Sequence, residues 1–282
     1  MTIIQNGGGG EHRPWKFDEA EGLDSTETTD IYRNFVELHE TLRPFWMTAG
    51  SRAFETSTSI INPIAVRRSD NPYRHPEPDT LAFELDHTLF VEPIAMDTGG
   101  FVLVEFPGEG TDEWVDYWNP KLLSFAGGQK VVRHYGLDSY PLFVKRGAIL
   151  PTKTKAEEQM TGDGGLFEAA MMTSHLEFVV YGVRDGQVTG EARNELDGGV
   201  AATYQYSETD MSFVATISAY DDIISFKMVG VDKPGTMQVE CSEARIDLPC
   251  SLSWYIGNEI YVIVPDASAG VVITMTGLES IN

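Results

Sequence analysis

The sequence predicts a mainly β protein, two β-sandwich domains in tandem, introduced by one helical segment. Three observations carry this reading. From 173 to 282 the chain is a string of short apolar runs separated by turn residues, with no helical period between them. From Trp114 to Pro151, two strand-like runs, Lys130–His134 and Leu142–Leu150, lie among aromatic clusters (Trp114/Tyr117/Trp118 and Tyr140/Phe143) and the glycines Gly127, Gly128 and Gly147. Rings beside glycines suit a turn-rich sandwich in which backbone passes close to a packed ring. Over 26–50, Ile31, Phe35, Leu38, Leu42, Phe45 and Ala49 recur at spacings of three and four, an apolar stripe on one helix face.

In order, the chain opens with a short apolar run, Met1–Asn6, then Gly7–Gly10, Glu11, His12, Arg13, Pro14 and Trp15. No Gly-Lys-Ser/Thr follows these glycines, so they are not a phosphate loop. In the helical segment Ser25, Thr26 and Thr28 offer caps, Asp30 suits the first turn, and Pro44 breaks the ladder near Leu42–Arg43. His39-Glu40 does not open a zinc helix, because Arg43 stands where the second histidine is required. Ile60–Val66 reads as a barrel or edge strand, and Arg67–Pro78 as a loop rich in Pro, Asp, Asn and Arg. Phe101–Phe106 alternates as a half-buried strand, with Phe101, Leu103 and Glu105 on one side. After a linker at 156–172 come runs at Leu176–Val183, Ala201–Tyr206, Ser212–Ala219, Ile223–Val229, Gly235–Cys241, Ile260–Val264 and Val271–Thr276. Turns such as Arg184-Asp185-Gly186 and Lys233-Pro234-Gly235 separate them.

Composition excludes several function classes. The 282 residues are 42% hydrophobic, enough for a substantial core. With 43 acidic against 20 basic residues the formal net charge is −23, which repels nucleic-acid phosphates and anionic lipid and favours a neutral or cationic substrate. No apolar run is long enough to span a membrane. The two cysteines, Cys241 and Cys250, either face each other across a hairpin or stay reduced, and they give no compartment. No calcium-loop spacing is present, and no cofactor is implied. Asp86, Glu92, Glu113 and Asp116 are acids in the middle of the chain, but nothing in their spacing fixes two of them at the roughly 5–10 Å that a catalytic carboxylate pair needs.

Three ordered blocks add a resemblance: Trp114-Val115-Asp116-Tyr117-Trp118, Gly127-Gly128-Gln129, and Pro141-Leu142-Phe143-Val144-Lys145-Arg146-Gly147-Ala148-Ile149-Leu150-Pro151. Their order resembles the region after the catalytic barrel in glycoside hydrolase family 31, the α-glucosidase family. Leu42-Arg43-Pro44-Phe45 resembles a helix motif of that family, and Leu81–Ile94 a strand segment, with Asp86 where the family has glycine. The resemblance implies a strand–loop–helix remnant of a (β/α)8 barrel over 1–65, a proximal sandwich over 66–155, the linker, and a distal sandwich over 173–282. It implies that His12 binds a substrate hydroxyl, and Trp15 stands just beyond it, where an indole offers a flat apolar face to a sugar ring. It implies a retaining hydrolase of α-linked sugars whose two carboxylates come from upstream barrel strands, so that this chain holds no catalytic residue and is inactive alone. Its partners are then an α-glycoside and the barrel portion of the same enzyme. Read so, Ile31, Phe35 and Leu38 should face missing partners. The other reading is a non-catalytic sandwich module that binds carbohydrate or a protein through Trp114, Trp118 and Trp254, with the helix packed on the sandwich.

Overall fold

The computed structural model describes residues 27–64, 81–94, 99–120, 124–154, 174–193, 199–241 and 251–279. The Met1–Asn6 run, the caps Ser25 and Thr26, and the 156–172 linker lie outside them. The helical stripe forms two helices, α1 (Glu27–Thr41) and α2 (Arg43–Thr56). Pro44 sits in the first turn of α2, where a missing N–H leaves no bond unmade. The ladder continues on both sides of the break, from Leu42 to Leu38 and from Trp46 to Leu42, each at 3.0 Å.

The proximal unit is one antiparallel sheet, built from β1 (Ile61–Pro63), β2 (Phe83–Leu85), β3 (Leu89–Val91), β5 (Glu113–Asp116), β6 (Ser124–Ala126) and β8 (Leu142–Lys145), in the order β1-β2-β3-β8-β5-β6. A two-stranded antiparallel ribbon, β4 (Phe101–Glu105) with β7 (Lys130–His134), covers one face. Between sheet and ribbon lies an aromatic core of Phe90, Phe106, Trp114, Phe125 and Phe143. Strand alternation sends Val102 and Val104 into that core and leaves Phe101 57% and Leu103 61% exposed. The side of this strand that carries Phe101, Leu103 and Glu105 is thus the outer one.

The distal unit is a two-sheet sandwich. One sheet joins β9 (Ile149–Lys153), β10 (Leu176–Tyr181), β14 (Ile224–Val229), β16 (Leu252–Ile256) and β17 (Glu259–Val264) in the order β16-β17-β14-β10-β9. The other joins β11 (Gly186–Ala192), β12 (Val200–Ser207), β13 (Ser212–Ile217), β15 (Thr236–Cys241) and β18 (Val271–Thr276) in the order β11-β12-β13-β18-β15. Alternate residues point inward, so Phe178, Val180, Phe226, Met228 and Val262 meet Tyr204, Phe213, Ala215, Ile273 and Met275. The β10–β14 pair is parallel, and every other pair is antiparallel. Cys241, at the end of β15, is disulfide-bonded, and the sequence holds one other cysteine, Cys250.

One sequence-based boundary shifts. The Leu142–Leu150 run is not one strand: it splits into β8, in the proximal sheet, and β9, paired with β10 in the distal sheet. The proximal unit therefore ends near Arg146 rather than 155. Of the two readings of Ile60–Val66, the edge strand is the one found: β1 pairs with β2 at the edge of the proximal sheet. The split follows from the backbone at Gly147. Its φ of +77° turns the chain out of the proximal sheet. The Arg146 N–H bonds Glu113 O of the proximal sheet at 2.8 Å, and the Gly147 N–H bonds Tyr181 O of the distal sheet at 2.8 Å.

A third core fills the junction. Leu38, Leu42 and Phe45 of the helices pack with Leu89, Val91, Val115, Leu142 and Val144 of the proximal sheet and with Leu150, Val179, Tyr181 and Val229 of the distal sheet. The apolar stripe is thus occupied by the sandwiches. Leu38 is buried and Phe35 meets the Tyr140 ring at 5.7 Å, so neither faces an empty side. Phe54, 89% exposed, lies off the stripe.

A Cβ on residue 147 would stand 2.7 Å from Arg184 Cβ and 2.8 Å from the Tyr204 hydroxyl. Gly128 shares the left-handed backbone, at φ +78°, but its nearest neighbour would be 3.9 Å away. In chemical denaturation, Gly128→Ala should cost about 1–2 kcal/mol, the backbone term alone, and Gly147→Ala distinctly more. Equal losses would mean that the junction yields freely.

Candidate functional site

The two substrate-binding residues expected from the sequence, His12 and Trp15, lie outside the described residues. The aromatic cluster after β5 is described in full, and its rings are structural. Trp114 is 2% exposed and its indole N–H donates to Pro107 O at 3.0 Å. The ring meets Phe90 at 5.6 Å, so it presents no face to a ligand. Trp118 reaches solvent at one side, but its N–H is spent on Tyr140 O at 2.6 Å. Tyr117 stacks on Tyr181 across the junction at 6.1 Å, and burial together with Glu177 pushes its phenol up to about 12. Trp254 differs. It is half-buried on the edge strand β16 and lies parallel to Tyr261 of β17, with centroids 5.1 Å apart and planes 6° apart. Cross-strand pairing of residues 254 and 261 sets that stack.

Three of the four acids weighed as a catalytic pair are each tied to a cation. Asp116 is buried at the end of β5. Its Oδ1 accepts the Trp118 N–H at 2.9 Å and its Oδ2 the Arg133 guanidinium at 2.8 Å. Burial raises the affinity of this carboxylate for a proton, against the pull of the Trp118 N–H and Arg133. Asp86 pairs with Arg52 at 2.5 Å, and there too burial raises the pKa against the nearby guanidinium. Glu113 pairs with Arg146 at 3.2 Å. Glu92 lies just past β3, and its N–H bonds Pro141 O at 3.2 Å. These are the contacts of a fold held by ion pairs. Among the described residues no group of three or more His, Cys, Asp or Glu is arranged to hold a metal ion.

The structure adds polar residues that the sequence reading passed over. On the outer face of the β10–β14–β17 sheet, Lys227 sits 3.5 Å from Glu259 and 4.9 Å from the centre of the Tyr261 ring. Glu177 faces them from β10 with Thr152 at 3.3 Å, and burial lifts its pKa against the pull of Lys227. His175, buried before β10, shares hydrogen bonds with Ser225 Oγ at 2.5 Å and Thr154 Oγ1 at 3.2 Å, which makes it a satisfied core histidine. It borders a cleft of about 820 Å³ between α2 and the distal sandwich, lined also by Arg43, Met47, Arg193, Tyr220 and Asp222. The only sequence signal for these groups is a charged residue inside an otherwise apolar strand, Glu177 in Leu176–Tyr181 and Lys227 in Ile224–Val229.

Comparison with known proteins places this arrangement. Residues 59–150 match the sequence model of the glycosyl hydrolase family 31 C-terminal domain. The isomaltosyltransferase of Sporosarcina globispora is 22% identical over 283 residues, covering 96% of this chain and 24% of its own length. The neutral alpha-glucosidase C of Homo sapiens is 27% identical over 141 residues, 50% of this chain and 14% of its own. The chain spans about a quarter or less of the length of these relatives. A cycloalternan-forming enzyme from Listeria monocytogenes, solved with a pentasaccharide substrate, superposes with a TM-score of 0.75 at 18% identity, over 95% of this chain and 25% of that one. The GH31 dextranase of Flavobacterium johnsoniae superposes with a TM-score of 0.71 at 19% identity, over 95% and 34%. These superpositions establish a shared fold.

The Asp116–Arg133 pair generates a pH-dependent expectation. Arg133→Met removes a force that holds Asp116 ionised in its buried site. The folded-state pKa then rises further above the unfolded value of about 3.9. The folded form keeps a proton that the unfolded form has released, so stability falls as pH rises through that window. Urea denaturation should show a loss of about 1–3 kcal/mol at pH 7 and a smaller one at pH 4. A loss independent of pH would mean that Arg133 acts through packing alone.

Proposed function

We propose, from the premise that this chain corresponds to the C-terminal portion of a glycoside hydrolase family 31 enzyme, that it is the scaffold behind the sugar pocket of a retaining α-glycosidase. The observation that carries this is the family match over 59–150, which begins at the end of the helix pair and closes at the crossover between the sandwiches. In that reading α1 and α2 are the last helical unit of a (β/α)8 barrel, and the loop before them carries His12 and Trp15 to the substrate. Imidazole bridges two sugar hydroxyls, and the indole covers an apolar ring face. Retaining hydrolysis needs one carboxylate to attack the anomeric carbon and a second to protonate the leaving oxygen, about 5–5.5 Å apart. The acids of the first sandwich do not serve, because Asp86, Glu113 and Asp116 are each committed to an arginine. Both carboxylates then belong to the barrel portion, which is the partner of this chain, and an α-linked sugar is its substrate.

A second reading rests on Trp254. Its parallel stack on Tyr261, beside Lys227 and Glu259, is an aromatic platform with polar neighbours on a sheet face. A non-catalytic module that binds carbohydrate would use it. The two readings separate in one set of assays. Purified chain should not turn over a chromogenic α-glucoside, and turnover that His12→Ala abolishes would defeat the scaffold reading. Under the same reading, mobility in gels containing soluble α-glucan should not change with Trp254→Ala. Retardation by glucan that this substitution removes would install the module reading in its place.

A further inference from the structure

The helix pair is held to the sandwiches by more than its apolar stripe. Thr48, Arg52 and Glu55 recur at i, i+4 and i+7 and share one face of α2. All three engage the end of β11 in the distal sandwich. Glu191 of β11 bridges two guanidinium groups: its Oε1 accepts Arg52 Nη2 at 3.1 Å, and its Oε2 accepts Arg193 Nε at 3.2 Å. Arg193 also pairs with Glu55 of α2. The Arg193 backbone N–H donates to Thr48 Oγ1 at 2.9 Å, and that hydroxyl donates to Pro44 O at 2.8 Å. The second arm of Arg52 reaches the other way, from Nη1 to Asp86 Oδ2 at 2.5 Å.

Asp86 and His87 are the central residues of the turn Leu85–Thr88 that joins β2 to β3, with φ of +46° and +58°. Left-handed backbone is unfavourable at both positions for residues with a Cβ. A strained turn persists where its surroundings hold it, and the Asp86 carboxylate is held by α2. One arginine fork therefore reads a carboxylate on each sandwich at once, a geometry that the lysine ammonium does not reproduce.

We propose that Arg52 is a positioning residue: with Glu191 and Arg193 it makes the distal sandwich a strut that fixes the orientation of α2. Where the inference extends to the substrate loop before α1 it rests on the function proposed above, but the strut itself does not. The distal sandwich, most of which lies beyond the matched 59–150 span, thereby acquires a role in holding α2. The groups involved are partly exposed, with side-chain exposures of 37% for Arg52, 29% for Glu191 and 26% for Arg193. The coupling is accordingly modest and weakened by salt.

Hydrogen exchange of the purified chain, resolved by segment, tests this. Arg52→Met and Glu191→Gln should each raise exchange over α2 by about three- to tenfold, with β12 and β13 unchanged. The double variant should fall short of the two single effects combined, because the Arg52–Glu191 contact is lost in both, while Asp86 and Arg193 each lose a partner in only one. Arg52→Lys should not restore α2 protection, although it keeps the charge. A uniform rise across α2, β12 and β13, additive single effects, or full rescue by lysine would each overturn the strut. Because this arm measures no hydrolysis and no sugar binding, its failure leaves the proposed function standing, and a failed glycosidase reading leaves the strut standing.

Discussion

The chain changes sheets at Arg146–Gly147, and the rest of the molecule is arranged around that crossover. Two consecutive N–H groups donate to two different sheets, one to Glu113 O and the next to Tyr181 O. The Gly147 carbonyl accepts the Tyr204 hydroxyl at 2.7 Å from the far sheet of the distal sandwich. No slack remains in which the two units could hinge at this point. The junction core follows from it: with β8 and β9 ending on either side of one turn, Leu142 and Val144 lie close enough to Leu150 and Val179 to share a core, and the helix stripe covers the gap.

That arrangement explains why the charged groups look as they do. The chain carries a large acidic excess, yet several of its buried or half-buried acids are tied to guanidinium groups: Asp116 to Arg133, and Asp86 and Glu191 to Arg52. An isolated buried carboxylate is expensive, and arginine offsets the cost with two directed donors. On the proposed reading, the acids that act on a sugar stand in the barrel portion. The family resemblance and the ion pairs then describe one division of labour, with chemistry upstream and support in this chain.

Much of this was legible in the sequence where periodicity is strong. The helix stripe from Leu38 to Ala49, the Pro44 break, and seven of the distal runs recur as elements at nearly the same bounds. Two distal strands escaped. β11 begins in a turn signal, Asp185-Gly186, and carries Gly190, where a Cβ would stand 2.6 Å from Ile149 Cβ. β16 is an edge strand without strict alternation. The 142–150 run reads as one strand because nothing in the side chains announces a sheet change; only the left-handed φ of Gly147 does. Aromatic density marked the core: Trp114 and Phe143, the centre of the family motif, are core residues. The arginine fork of Arg52 was invisible, since its two acids lie 34 and 139 residues away. His12 and Trp15 rest on the resemblance alone.

The central claim is that helix pair and both sandwiches share one core and so form one cooperative unit. Scanning calorimetry of the purified chain tests it most directly. A single endotherm whose calorimetric and van't Hoff enthalpies agree is the predicted result. Two resolved transitions, one for each sandwich, would contradict it.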